Sequence, residues 1–172
     1  MIGTIRQWLA SIAPSQTSYA LQKVLDPIGD RISTHALTTA GLAIKAGASA
    51  IVKTGAAACI VSVKGKLQSI GAATDQAALS GTVLNATFNV YAFFVDAAGT
   101  GTSAMGVGAA TLPAVVFPVI PEGKALLGFV IINPTGTGNF VGGTTALDDA
   151  TVIPNAVYVN CTGPFDPTVL TA

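Results

Sequence analysis

Ala86-Thr87-Phe88-Asn89-Val90-Tyr91-Ala92-Phe93-Phe94-Val95 is ten residues without a glycine, proline or charge. Aromatic and β-branched side chains dominate it, the residue types that fit a pleated strand. Phe88, Val90, Ala92 and Phe94 fall on one face. Asn89, Tyr91, Phe93 and Val95 fall on the other, which is also mostly apolar. Leu126-Leu127-Gly128-Phe129-Val130-Ile131-Ile132 repeats this two-sided pattern. Antiparallel strands of a lone monomer usually leave one face wet. These two therefore predict the centre of a sandwich, covering segments, or a subunit interface.

Cys59-Ile60-Val61-Ser62-Val63-Lys64-Gly65-Lys66-Leu67-Gln68 reads as one half-buried strand. Cys59, Val61, Val63 and Leu67 point inward on that reading; Ser62, Lys64, Lys66 and Gln68 point outward. Leu42-Ala43-Ile44-Lys45 and Ala50-Ile51-Val52-Lys53 are shorter strands separated by Gly47, with their lysines outward or blunting an edge. Ala156-Val157-Tyr158-Val159-Asn160-Cys161 is a last strand before a proline-rich tail. The connections at 97–101, 118–123 and 134–139 are rich in Gly, Thr, Pro and Asn, which supply fixed or positive φ. Many strands, such turns and one helical signal predict an all-β fold, a β-sandwich or jelly-roll-like domain over residues 38–172.

Residues 1–37 read as a partly helical N-terminal arm. They hold the only Trp and the only His, Trp8 and His35. Ser18-Tyr19-Ala20-Leu21-Gln22-Lys23-Val24-Leu25 predicts a short helix with Ser18 as N-cap. Leu21, Val24, Leu25 and Ile28 share one face at i, i+3, i+4, i+7. Pro27 is expected to end or kink the helix near Leu25 or Asp26. Such an arm packs on a neighbour or forms a first helix of the same core. The candidate subunit or shell contact is Trp8, Tyr19, Leu21, Val24 and Leu25, because an apolar arm needs a partner.

Composition narrows the function classes. The chain has 172 residues, 51% of them apolar and 9% charged, with zero formal net charge. That excludes a disordered chain and suits a subunit that hides surface against other subunits. Residues 1–66 carry seven basic and two acidic side chains; residues 67–172 carry one basic and six acidic. Either the halves interleave within one subunit, or they give head-to-tail complementarity between subunits that salt should weaken. No stretch suits a membrane span or a secretory signal.

The reactive residue types are sparse. One histidine and two cysteines, Cys59 and Cys161, are too few for a standard zinc pattern, and the cysteines are expected to be free and buried. His35 is expected to be a surface or capping residue, with no nucleophile elbow in the chain. Gly136-Thr137-Gly138-Asn139-Phe140-Val141-Gly142 imitates a dinucleotide fingerprint with the wrong spacing and no helix after it. Asp148-Asp149 is the only adjacent acid pair and reads as a cap or solvated turn; Thr145 and Asp148 have capping-box-like spacing. Lys64 and Lys66 on one strand face, without net positive charge or exposed aromatics, do not predict nucleic-acid binding. Asn85-Ala86-Thr87 and Asn160-Cys161-Thr162 match the glycosylation pattern without a secretion signal. No enzyme activity, metal or cofactor is expected.

Ile120-Pro121-Glu122-Gly123-Lys124-Ala125-Leu126-Leu127-Gly128-Phe129-Val130-Ile131-Ile132-Asn133, then Gly138-Asn139-Phe140-Val141-Gly142-Gly143-Thr144-Thr145 and Asn155-Ala156-Val157-Tyr158-Val159-Asn160, resemble small structural head proteins of tailed bacteriophages that decorate or cement the capsid. The likeness covers roughly residues 80–165 and rests on strand and turn patterns. It implies a mostly β homo-oligomer, commonly a trimer, on the outer capsid surface of the virion, made in the host cytoplasm. It implies contact with the major capsid protein and no enzyme activity. A head-fibre base, a tail subunit and a carbohydrate-binding β-sandwich are the alternatives.

Overall fold

The computed structural model describes residues 16–164. One helix, α1 (Gln16–Ser33), precedes eleven strands: β1 (His35–Ala36), β2 (Ala43–Ile44), β3 (Val52–Lys53), β4 (Cys59–Val63), β5 (Lys66–Ile70), β6 (Thr82–Val83), β7 (Asn89–Asp96), β8 (Gly101–Met105), β9 (Lys124–Ile132), β10 (Phe140–Val141) and β11 (Val157–Asn160). The fold is β-rich, with several antiparallel sheets. Four strands run in the order β11-β9-β7-β8, three in the order β1-β4-β5, and β2-β3 and β10-β6 form pairs.

The expected two-sided strands are the centre of the molecule. Every residue of β7 from Asn89 to Val95 is buried. Tyr91, Phe93 and Val95, with Leu127, Val130 and Ile132 of β9, share a core with Cys59, Val61, Val63 and Ile70 of the three-stranded sheet. Val90, Ala92, Phe94, Leu126 and Phe129 face the other way. There Leu112, Val115 and Phe117 cover them from a connection containing one 3-10 turn, Leu112–Ala114. Phe117 meets Phe129 edge-on at 5.3 Å. A loop does the work that a second sheet would do on that face.

A β-bulge shifts the phase of β9 against β7. Phe93 pairs with Gly128 and Phe94 with Leu126, so Leu127 is the extra residue. A Cβ on Gly128 would lie 2.3 Å from the Val159 carbonyl oxygen and 2.8 Å from Leu42 Cδ1. Only glycine permits that approach of β9 to β11.

The single strand read over 59–68 is a hairpin. Lys64 and Gly65 both have positive φ, +51° and +79°, and form a two-residue turn. The register Val63↔Lys66, Val61↔Gln68 turns Leu67 to the outer side beside Ser62, where it is exposed. The alternation continued through the turn by accident of spacing. Lys64 therefore sits on the turn and does not share a strand face with Lys66.

Helix α1 also departs from expectation. It runs through Pro27 to Ser33, and Ser18 lies inside it instead of capping it. Pro27 cannot donate to the carbonyl four residues back. Its stretch is solvent-exposed, and the final turn is fixed from outside. The Asp30 carboxylate accepts from Gly123 N–H (3.0 Å) and the Thr34 hydroxyl (3.2 Å). The Ser33 carbonyl accepts from the Ser62 hydroxyl (2.7 Å) and Gly65 N–H (3.1 Å). Strand pairing begins at His35, inside the region read as arm, because His35↔Ser62 and Ala36↔Val61 open the three-stranded sheet.

Candidate functional site

The last turn of α1 is stapled to the β4–β5 turn and to the 121–123 loop, while its apolar stripe faces solvent. Leu21, Val24, Ile28 and Ile32 are between 43% and 63% exposed, and Leu25 is half-buried. The spacings of three, four and four residues keep them on one side of the helix. Burying each remaining exposed side chain is worth on the order of 1 kcal/mol. Tyr19 belongs to α1, but its side chain lies outside the described residues, as does Trp8 altogether. Of the five contact residues expected from sequence, the structure thus aligns Leu21, Val24 and Leu25. Ile32 lies beyond the sequence expectation, because Pro27 predicts an end or kink near Leu25 or Asp26; the i+4 step from Ile28 is the signal for it.

A second apolar surface has no sequence signature. Val107 pairs with Val116 across an isolated bridge, and both side chains are exposed, as is Leu84. Beside them is a groove of about 370 Å³ walled by Val83, Leu84, Met105 and Val107, with Asn89 also lining it. Gly106 is required there, since a Cβ would lie 2.6 Å from the Val116 carbonyl oxygen. Glycine and proline interrupt this stretch so often that neither period 2 nor 3.6 can develop.

The chemistry-bearing residues do not converge on a reaction centre. His35 is a correction: it is a half-buried member of β1, and its Nδ1 is buried without a hydrogen-bond partner among the described residues. Cys59 and Cys161 are free and buried, as expected. Burial raises both thiols, Cys161 to about 11; the Thr38 side chain opposes the rise at Cys59 to a smaller degree, and Cys59 Sγ also donates to the Thr38 carbonyl oxygen (3.3 Å). Asp149 accepts from Thr151 N–H (2.9 Å) and hydroxyl (2.6 Å), which hold its carboxyl below the ordinary range. Asp148 accepts from Ala48 N–H at 3.1 and 3.0 Å. Thr145 bonds Val141 N–H (3.0 Å), so the capping-box spacing starts no helix. The Gly136–Gly142 segment packs against the 151–152 turn: Thr137 N–H donates to the Thr151 carbonyl (2.6 Å). Among the described residues, no three His, Cys, Asp or Glu side chains are grouped to hold a metal. No described helix is long and apolar enough to cross a membrane.

The opposed charges of the two halves meet within the chain. Lys45 pairs with Asp75, and Lys64 with Glu122 at 2.9 Å. These pairs are largely exposed and contribute little stability, but they place basic N-terminal and acidic C-terminal segments side by side.

Comparison with protein-family models, curated proteins and solved structures returns no match.

Proposed function

We propose that this chain is a structural virion subunit that decorates and cements the outer surface of a tailed-phage capsid, bridging major capsid subunits as a homo-oligomer, a trimer in the form the resemblance implies. The two sheets packed through a common core are read, on the same proposal, as a sandwich. The observation that carries the reading is α1: a helix fastened at its C-terminal end and presenting Leu21, Val24, Ile28 and Ile32 to solvent. A chain with so few charges and an exposed apolar stripe gains by covering that stripe against another subunit. The reading assigns no catalytic residue.

Light scattering of the full chain, followed by co-sedimentation with shells of its own virion, tests it. The expected result is a closed oligomer that binds the shells. Val24→Glu with Ile28→Glu should weaken self-association at least tenfold while strand content by circular dichroism stays unchanged. A monomer that ignores shells, or an oligomer indifferent to the double substitution, would overturn the assignment of α1. Recovery in tails instead of heads would move the subunit elsewhere in the virion.

A further inference from the structure

A half-open basin of about 300 Å³ lies between β2, β11 and the turns at 147–156. Leu147 and Ile153 are buried in its floor, and Ile44 is half-buried beside them. Asp148, Asn155 and Tyr158 bring polar groups to the same space. The Asp148 carboxylate is oriented by one donor, Ala48 N–H, shared between its two oxygens at 3.1 and 3.0 Å. Most of its lone-pair capacity stays open. The Tyr158 hydroxyl and the Asn155 amide make no hydrogen bond among the described residues. Burial, and secondarily the nearby Asp148 charge, push the Tyr158 phenol up to about 12. It therefore keeps its proton and remains a donor as well as an acceptor.

A concave basin in which polar groups converge beside apolar side chains has the form of a small-ligand site. We propose that this basin binds a neutral, hydroxyl-rich ligand, a saccharide unit, through Asp148, Asn155 and Tyr158. Asp148 accepts from sugar hydroxyls, Asn155 both donates and accepts, and the Tyr158 hydroxyl does both as well. Ile44, Pro154 and Ala156, the accessible apolar side chains of the lining, take the C–H face of the ring. An anion would meet Asp148 with no cation in the lining to offset it. An ammonium group would meet one exposed carboxylate, which adds little to binding in water. Sequence gave no hint of this grouping, because Ile44 and Asp148 are about a hundred positions apart and only β2 and β11 bring them together.

Saturation-transfer NMR on the full chain with the methyl glycosides of glucose, galactose and N-acetylglucosamine at millimolar concentration is the test. The expected result is transfer to the ring protons of at least one glycoside. Asp148→Ala with Asn155→Ala should lower that affinity at least tenfold while leaving the amide spectrum of the β7–β9 core in place. Tyr158→Phe, which keeps the ring, should weaken binding less. Three outcomes would overturn the proposal: no transfer from any of the three glycosides, transfer unchanged by the double substitution, or binding of butylammonium in the basin without any glycoside. None of these depends on whether the chain assembles through α1.

Discussion

Tyr91 shows how a residue is chosen by its ring and tolerated for its hydroxyl. The ring is fully buried and meets Phe140 edge-on at 5.9 Å. Its hydroxyl is buried with no hydrogen-bond partner among the described residues. Burial of that group raises the phenol to about 12. An unsatisfied buried hydroxyl costs more than the packing it adds. Tyr91→Phe should therefore raise stability by about 1 kcal/mol in urea denaturation; a loss of similar size would mean that the hydroxyl is satisfied. Other residues were legible from sequence at this scale. Cys59 and Cys161 are buried and free, as their rarity and distance in the chain suggested. His35 was not legible, because strand β1 is two residues long and carries no periodicity.

At the scale of elements, glycines separate what local sequence dictates from what packing dictates. Gly29 lies in α1 with nothing within 4 Å of an added Cβ. Gly29→Ala should stabilise the helix by about 0.5–1 kcal/mol, through helix propensity and a less flexible unfolded chain. Slower amide exchange in α1 would register this; unchanged exchange would mean the helix is held entirely by its last turn. Gly128 is the opposite case. Its Cβ would drive into the Val159 carbonyl, so Gly128→Ala should cost about 2–4 kcal/mol and disturb the β9–β11 pairing. A mild effect on the thermal midpoint would show that β11 can move away. Strands β7, β9 and β11, the β2–β3 pair and the turn at 97–101 all followed from alternation, length and turn chemistry. The 59–68 stretch did not. Lys64-Gly65 has the residue content of a tight turn, but the alternation of side chains on either side concealed it. The continuation of α1 past Pro27 was hidden for another reason: its anchors, Gly123, Ser62 and Gly65, are remote in sequence.

For the whole molecule, the charge asymmetry had two readings with opposite salt behaviour. Lys45–Asp75 and Lys64–Glu122 join the two halves inside one chain. Self-association through the uncharged α1 stripe should then be insensitive to salt, or strengthened by it, since screening acts on charges and not on apolar burial. Sedimentation at 50 mM and 500 mM salt (about 14 Å against about 4 Å of screening length) checks this. Dissociation at the higher salt would restore head-to-tail electrostatics between subunits.

The sequence by itself determined the β-rich class, the two central strands apolar on both faces, the buried free thiols and the apolar helix face, because each is written in local periodicity or composition. Only the tertiary structure decided what covers those central strands, where α1 stops, that the opposed charges pair within the chain, and that Asp148, Asn155 and Tyr158 share one basin with Ile44. Each of these depends on contacts between segments tens of residues apart. Their free energy comes from excluded water and from backbone groups satisfied at a distance, and neither leaves a pattern along the chain.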